Sequence, residues 1–284
     1  FADELARHAR AVNQQFAQIF GDATTDAGTH QKELAVLWGD EPGEEGALRI
    51  LAEHGFEDPA LAWNRLRALK NGFSYRAMSP RGRERLDVLV PRVLEAAAAG
   101  PRPAATLERV FNLLEAVARR SVYLALLAEH PQALAQLVKL CAASSWIATH
   151  LTRYPLLLDD LLNPATLYAP LDRRQLVSEL DQQLARVPAG DAEELLNALR
   201  YFKQGSVLRV AAADVSGAMP LMIVSDHLTE IAEVLLCKVL ELAWTDLLLR
   251  FGPPECVVDG VKREARFAIL AYGKLGGIEL NYGS

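Results

Sequence analysis

Apolar positions recur at three- and four-residue steps through most of the chain, the spacing that puts side chains on one face of an α-helix. In residues 1–20, Leu5, Ala6, Val12, Phe16, Ile19 and Phe20 keep this step and predict an amphipathic helix. The Gly-, Thr- and Asp-rich segment 21–30 reads as a loop, with short helices expected at about 31–38 and 45–54. Asp58-Pro59 and Ser79-Pro80 each set a capping side chain before a proline at the first helical position. They predict helices over about 59–71 and 80–99, closed by Gly72 and Gly100.

The clearest joint is "PRPAAT" at 101–106. A single long helix is expected after it, over about 107–130, ended by Pro131. Three shorter helical pieces follow ("PQALAQLVKLCAA", "SSWIATHLTRY" and "PLLLDDLL"), punctuated by Pro155, Pro164 and Pro170 because proline disrupts a helix interior. Longer helices are expected at about 171–187 and 191–203, with helical continuation through 201–220 disturbed at Gly205. Ser225-Asp226 is expected to cap the longest apolar helix, about 226–251. Leu228, Ile231, Leu235, Val239 and Leu242 form its stripe, widened by Val234, Leu236, Leu240 and Leu247. A helix apolar over most of its circumference is expected in the core.

After 262 the period changes. "ARFAILAYG", with charge before it and glycine after it, predicts a short buried β-strand. No repeat at a fixed period is present. The expected fold class is therefore mainly α-helical, with helical bundle layers leading into one strand and a glycine-rich turn.

Composition narrows the classes. The 284 residues are 51% hydrophobic with a formal net charge of −6, enough chain for one large or two modest cores. An acidic balance, with a pI near 5.6, argues against a phosphate-binding surface and so against nucleic acid as a partner. Cys141, Cys237 and Cys256 lie far apart, which suits reduced thiols in a cytoplasmic protein and neither a zinc site nor a disulfide scaffold. The apolar stretch 228–251 is interrupted by Glu230, Glu233, Lys238, Glu241 and Asp246, so no membrane span is expected. Phe1 stands where an initiator Met would, and the chain enters in helical register; a piece of a longer protein is expected.

One stretch carries chemistry, "AYGKLGGIELNYGS". Gly273, Gly276 and Gly277 after a strand permit positive φ and let a phosphate approach the backbone, and Lys274 adds a cation. The spacing is neither a Walker A loop nor the dinucleotide G-x-G-x-x-G. From glycine spacing alone, a tight strand-to-helix connection is the plainer reading. Lys203, Arg209 and Asp214 can sit near a nucleotide or target protein, with ion pairs that fix packing as the plainer reading. Arg119-Arg120 suits an acidic partner or a solvated helix face. Trp38, Trp63, Trp146 and Trp244 are expected in the core.

Several ordered segments extend the picture. "RSVYLALLAEHPQALAQLVKL", "ATHLTRYPLLLDDLL", "ALRYFKQGSVLRVAAADVSGAMPLMIVSDHLTEIAE", "LAWTDLLLR" and the glycine-rich ending resemble, in the same order, segments of the glutamine synthetase adenylyltransferase family, whose members also remove the adenylyl group. The resemblance covers roughly 105–284, and more weakly the whole chain. It implies a nucleotidyltransferase, so that the final strand would be the first of an α/β nucleotidyltransferase core. It also implies Mg2+ as cofactor, ATP as substrate, and glutamine synthetase and a PII-type signalling protein as partners. The parent enzyme would attach AMP to a tyrosine of glutamine synthetase and remove it by phosphorolysis.

By the same resemblance, Gly273 and Lys274 fall at the triphosphate turn. Gly276 and Gly277 match the family's paired glycines, and Gly283 and Ser284 the residues just before its metal-binding Asp pair. Related superfamily turns carry Gly-Gly or Gly-Ser where Gly273-Lys274 stands, which leaves the role of Lys274 open. No catalytic residue and no metal ligand is expected within the chain, because the Asp pair would follow Ser284; residues 1–284 alone are expected to be inactive. The implied domains are 1–100, the helical end of the adenylyl-removing half plus a connector; 101–263, the helical region before the second catalytic core; and 264–284, the first strand and turn of that core. Two alternatives stay open: a non-catalytic, all-helical regulatory or scaffold protein, and a uridylyltransferase, which would share the fold but carry a different turn sequence.

Overall fold

A computed structural model describes residues 27–39 and 42–283. The expected helix at 1–20 and the position of Ser284 lie outside the described residues. The described chain is mainly helical, with one two-stranded sheet, and divides into two compact units at Ala169/Pro170.

In the first unit, two helices form the centre. Pro80–Ala98 buries Leu86, Leu89, Val90, Val93, Leu94 and Ala97, and Pro103–Val117 buries Leu107, Val110, Phe111, Leu113, Leu114 and Val117. They pack on one another and are flanked by Ala27–Gly39, Pro59–Asn71, Ser121–Glu129, Pro131–Ala143 and Ser145–Arg153. The predicted caps hold: Asp58 Oδ1 accepts from the Leu61 N–H at 2.9 Å and Ser79 Oγ from the Gly82 N–H at 3.2 Å. Residues 99–102 connect the two central helices inside this unit, and 103–106 are the first turn of the second.

Three expectations change here. Residues 27–30, read as loop, are the start of the first described helix. "PLLLDDLL" is a 3-10 helix over Pro155–Leu162. The single helix over 107–130 is two, Pro103–Val117 and Ser121–Glu129, broken at Ala118–Arg120. The break leaves Arg119 and Arg120 exposed and lets both helices lay apolar faces on Pro80–Ala98, which one straight rod could not do.

Each helix C-terminus leaves carbonyls without intrahelical partners. Here arginines from neighbouring helices meet them. Arg109 Nη1 donates to the carbonyls of Cys141 at 2.7 Å and Ala142 at 3.3 Å, while Arg102 Nη2 donates to Ala142 at 3.2 Å. Arg92 Nη1 donates to the Ala128 carbonyl at 3.0 Å. Cation and negative helix end attract, so the same contact satisfies the dipole.

In the second unit, Arg173–Leu184, Ala192–Val215 and Leu221–Phe251 pack together. Asp172 and Gln175 form a reciprocal capping box, and Asp191 caps the middle helix. That helix runs unbroken through Gly205, without the expected disturbance. The third helix begins at Leu221, after Pro220; Ser225 and Asp226 lie inside it and do not cap it. Its first half is core, with Val224, Leu228, Ile231 and Val234 buried. Its second half is not, since Val239 is 45% exposed, Leu249 83% and Phe251 79%. The expectation of an interior helix therefore fails beyond Val234. At 31 residues against 24 for its longest partner, the helix outruns what packs on it.

Gly252, at φ 75°, ends the helix, and a hairpin follows. Strands β1 (Glu255–Val258) and β2 (Val261–Glu264) pair antiparallel, Val258 opposite Val261, around Asp259 and Gly260 at φ 53° and 75°. Positive φ at both central residues suits the right-handed twist of paired strands. The buried strand expected over "ARFAILAYG" is absent: 265–272 has no regular structure, and Phe267 and Leu270 are exposed. The ladder ends with Ala265 N–H donating to the Pro254 carbonyl at 2.8 Å; beyond that point the hairpin supplies no partner strand.

Candidate functional site

Gly273, Lys274, Gly276 and Gly277 form one exposed turn. Gly273–Gly276 is a single helical turn entered through Gly273 at φ 60°, a backbone state that side chains with a Cβ rarely adopt. At Gly276 a Cβ would lie 2.5 Å from the Ala271 carbonyl oxygen, so glycine is required by space. Gly277 N–H donates to the Gly273 carbonyl at 2.8 Å and Glu279 N–H to that of Lys274 at 2.7 Å. The Lys274 side chain is exposed. These four residues are together; Gly283 lies in the segment that leaves the turn, where its N–H donates to Asn281 Oδ1 at 3.0 Å.

Ile278, directly after the glycines, has φ 57°. For a β-branched residue that conformation costs about 1–2 kcal/mol. Backbone strain of this kind concentrates at working sites. Past it, the Tyr282 hydroxyl donates to Asp214 Oδ2 at 2.9 Å, joining the exit of the turn to the end of the Ala192–Val215 helix. Burial first, then this bond and the Asp214 charge, hold the Tyr282 pKa above the ordinary tyrosine value. Neither Ile278 nor Tyr282 was singled out by sequence pattern. The segment 265–272 is laid beside the long helix by Phe267, whose ring lies 6.5 Å from that of Trp244.

The other sequence candidates resolve into packing or solvent. Arg209 Nη1 donates to Glu179 Oε2 at 2.9 Å, and Lys238 to Asp181 Oδ1 at 2.8 Å, tying the three helices of the second unit; Arg173 pairs with Glu233 in the same way. Lys203 is exposed. Trp38 and Trp63 are core residues, whereas Trp146 and Trp244 are half-buried, Trp146 stacked on His150 at 4.6 Å. Cys141, Cys237 and Cys256 are free thiols. Among the described residues no three His, Cys, Asp or Glu side chains gather in one place. No described helix is long and apolar enough to cross a membrane.

A family model, glutamate-ammonia ligase adenylyltransferase, matches residues 134–284, which include the whole described second unit and its glycine turn. The chain belongs to that family. It is 50% identical to the bifunctional glutamine synthetase adenylyltransferase/adenylyl-removing enzyme of Thioalkalivibrio sulfidiphilus, over all of this chain and 30% of that protein. The enzymes of the same name from Nitrosococcus oceani and Pseudomonas aeruginosa are 46% and 44% identical, again over the whole chain and 30% and 29% of their lengths. The chain thus spans about 30% of the length of these curated relatives.

Proposed function

We propose that this chain is part of an enzyme that regulates glutamine synthetase by moving AMP, from ATP, onto a tyrosine hydroxyl and by removing it through phosphorolysis. The single observation that carries the reading is the family match over 134–284, together with full-chain identity of 44–50% to enzymes with both activities in their names. On this reading 264–284 opens an α/β nucleotidyltransferase core, 101–263 is the helical region before it, and 1–100 closes the adenylyl-removing half. Glutamine synthetase is the target and a PII-type protein the regulator, in the cytoplasm.

The exposed turn Gly273–Gly277 would contact the triphosphate of ATP. Gly273 has open space around it, so phosphate oxygens could approach the backbone at the start of the turn, while the N–H groups of Gly276, Gly277 and Glu279 are used in closing the turn itself; Lys274 is exposed and able to swing toward a phosphate. Gly283 and Ser284 would lead into the metal-binding pair. Attack on an α-phosphate develops negative charge that divalent cations stabilise strongly, and the carboxylates for them are not gathered among the described residues. Residues 1–284 alone are accordingly expected to transfer no AMP; transfer above background by that piece would contradict this.

The reading is tested in a full-length protein carrying this chain, by AMP transfer from labelled ATP to glutamine synthetase. Gly276→Val, which forces a Cβ onto the Ala271 carbonyl, should lower transfer by about a hundredfold while the melting temperature of the helical units stays put. Wild-type transfer in that variant would remove the turn from the nucleotide site. A protein that neither transfers AMP nor binds ATP would instead be the non-catalytic scaffold.

A further inference from the structure

We infer that Asp214 is a positioning residue for the glycine-rich turn, acting through Tyr282. It accepts the Tyr282 hydroxyl at 2.9 Å across 68 residues of sequence, and so fixes the segment that leaves Gly273–Gly277. The inference deepens the reading of that turn as a triphosphate contact, and rests on it.

The Asp214 end of the bond is firmly held. It lies in the last turn of Ala192–Val215, beside Ala211, Ala212 and Ala213, each 1% exposed or less. The helix end is closed by Ser216 Oγ donating to the Ala213 carbonyl at 2.8 Å, and by Gly217, at φ 72°, whose N–H donates to the Asp214 carbonyl at 2.9 Å. Asp214 is therefore a fixed acceptor on a packed helix.

The Tyr282 end belongs to a segment that needs holding. Ile278, at φ 57°, is in a conformation it leaves readily unless the flanking chain over-determines it. On one side of it the turn is braced by its own backbone bonds. On the other, Tyr282 connects the exit to the helix, four residues on. A tyrosine phenol is protonated at neutral pH in any surroundings, and burial and the Asp214 carboxylate raise its pKa further, so it is a donor there. In this role Asp214 acts through Tyr282, on where the backbone N–H groups of the turn point. A packing role for Asp214, of the kind Arg209 has with Glu179, would not place its partner at the exit of the glycine turn.

The test uses a full-length protein carrying this chain, with ATP and glutamine synthetase as substrates. Tyr282→Phe and Asp214→Ala should each lower kcat for AMP transfer about tenfold, the worth of one such bond. The double variant should be no worse than either single, since the two groups act as one pair. Asp214→Asn, which still offers an oxygen to the hydroxyl, should recover most of the loss. Amide exchange in peptides covering 273–283 should speed up in every variant that breaks the bond. Unchanged exchange, additive losses in the double, or a lower melting temperature with kcat intact would each overturn the inference. The underlying reading is checked separately, by ATP slowing exchange across Gly273–Gly277 in the unaltered protein. Protection by ATP with Tyr282 and Asp214 variants that behave as wild type sinks the positioning role alone; no protection sinks the reading beneath it.

Discussion

Cys141 shows how one buried side chain sets a pH limit. It is fully enclosed in the first unit, and burial pushes its thiol up to about 12, with Arg109 pulling weakly the other way. A raised pKa means the native state holds the proton that the unfolded chain releases above its ordinary value of 9.0. The stability tied to Cys141 is thus fully present below pH 9.0 and is lost as pH rises toward about 12. Between pH 9 and 11 the unfolding free energy from urea should fall more steeply in the native chain than in Cys141→Ala, by up to about 1.4 kcal/mol per pH unit. Equal slopes would show the thiol is not enclosed. Ile278 gives a second residue-scale expectation. Its side chain is 52% exposed, so Ile278→Gly loses little burial and relieves the positive φ. Amide exchange across 273–283 should slow or hold level in that variant; faster exchange would mean that the side chain, and not the backbone, organises the turn.

At the scale of elements, the arginine contacts to helix ends and the half-buried long helix are the features with measurable weight. Arg109→Ala takes the arginine donor from the Cys141 carbonyl in a partly buried place, while Ala142 keeps Arg102, and should cost about 1–3 kcal/mol in urea unfolding, with Arg109→Lys between. Ile231→Ala, in the buried half of Leu221–Phe251, should cost about 2–4 kcal/mol, whereas Leu249→Gln in the exposed half should stay within about 0.5 kcal/mol. Comparable costs at both positions would contradict the exposure pattern. Elements whose signals are local were legible in sequence: Asp58 and Ser79 cap where their side chains predicted. The errors came where a distant partner decides. Nothing within 107–130 announces a bend that serves Pro80–Ala98, and an apolar periodicity cannot say where the neighbours of a long helix stop. The hairpin was within reach, because Asp259-Gly260 between valines is the usual two-residue turn pair. "ARFAILAYG" has strand composition, but a strand also needs a partner along its edge.

For the molecule as a whole, the family was legible from ordered segments that no periodicity argument would join, and the match over 134–284 agrees with them. The glycines of the candidate site were legible too, because Gly273 and Gly276 are glycine for reasons of conformation and space that act within a few residues. The bond from Tyr282 to Asp214 was not, since its two ends meet only after the helices of the second unit have packed. At this scale charge is unremarkable: the net of −6 is spread along the chain, and duplex DNA should not be retained by it at physiological salt.

The bare second half of Leu221–Phe251 has a practical outcome. Leu247, Leu249 and Phe251 put three apolar side chains in water on both sides of the helix, and residues 1–284 produced alone should brighten an apolar dye such as ANS while still folded. Size-exclusion profiles should drift to larger species as concentration rises, and a mild detergent or a Leu249→Gln, Phe251→Gln pair should quieten both signals. Handling the piece would then be a problem of stickiness, set by three side chains, before it is one of enzymology.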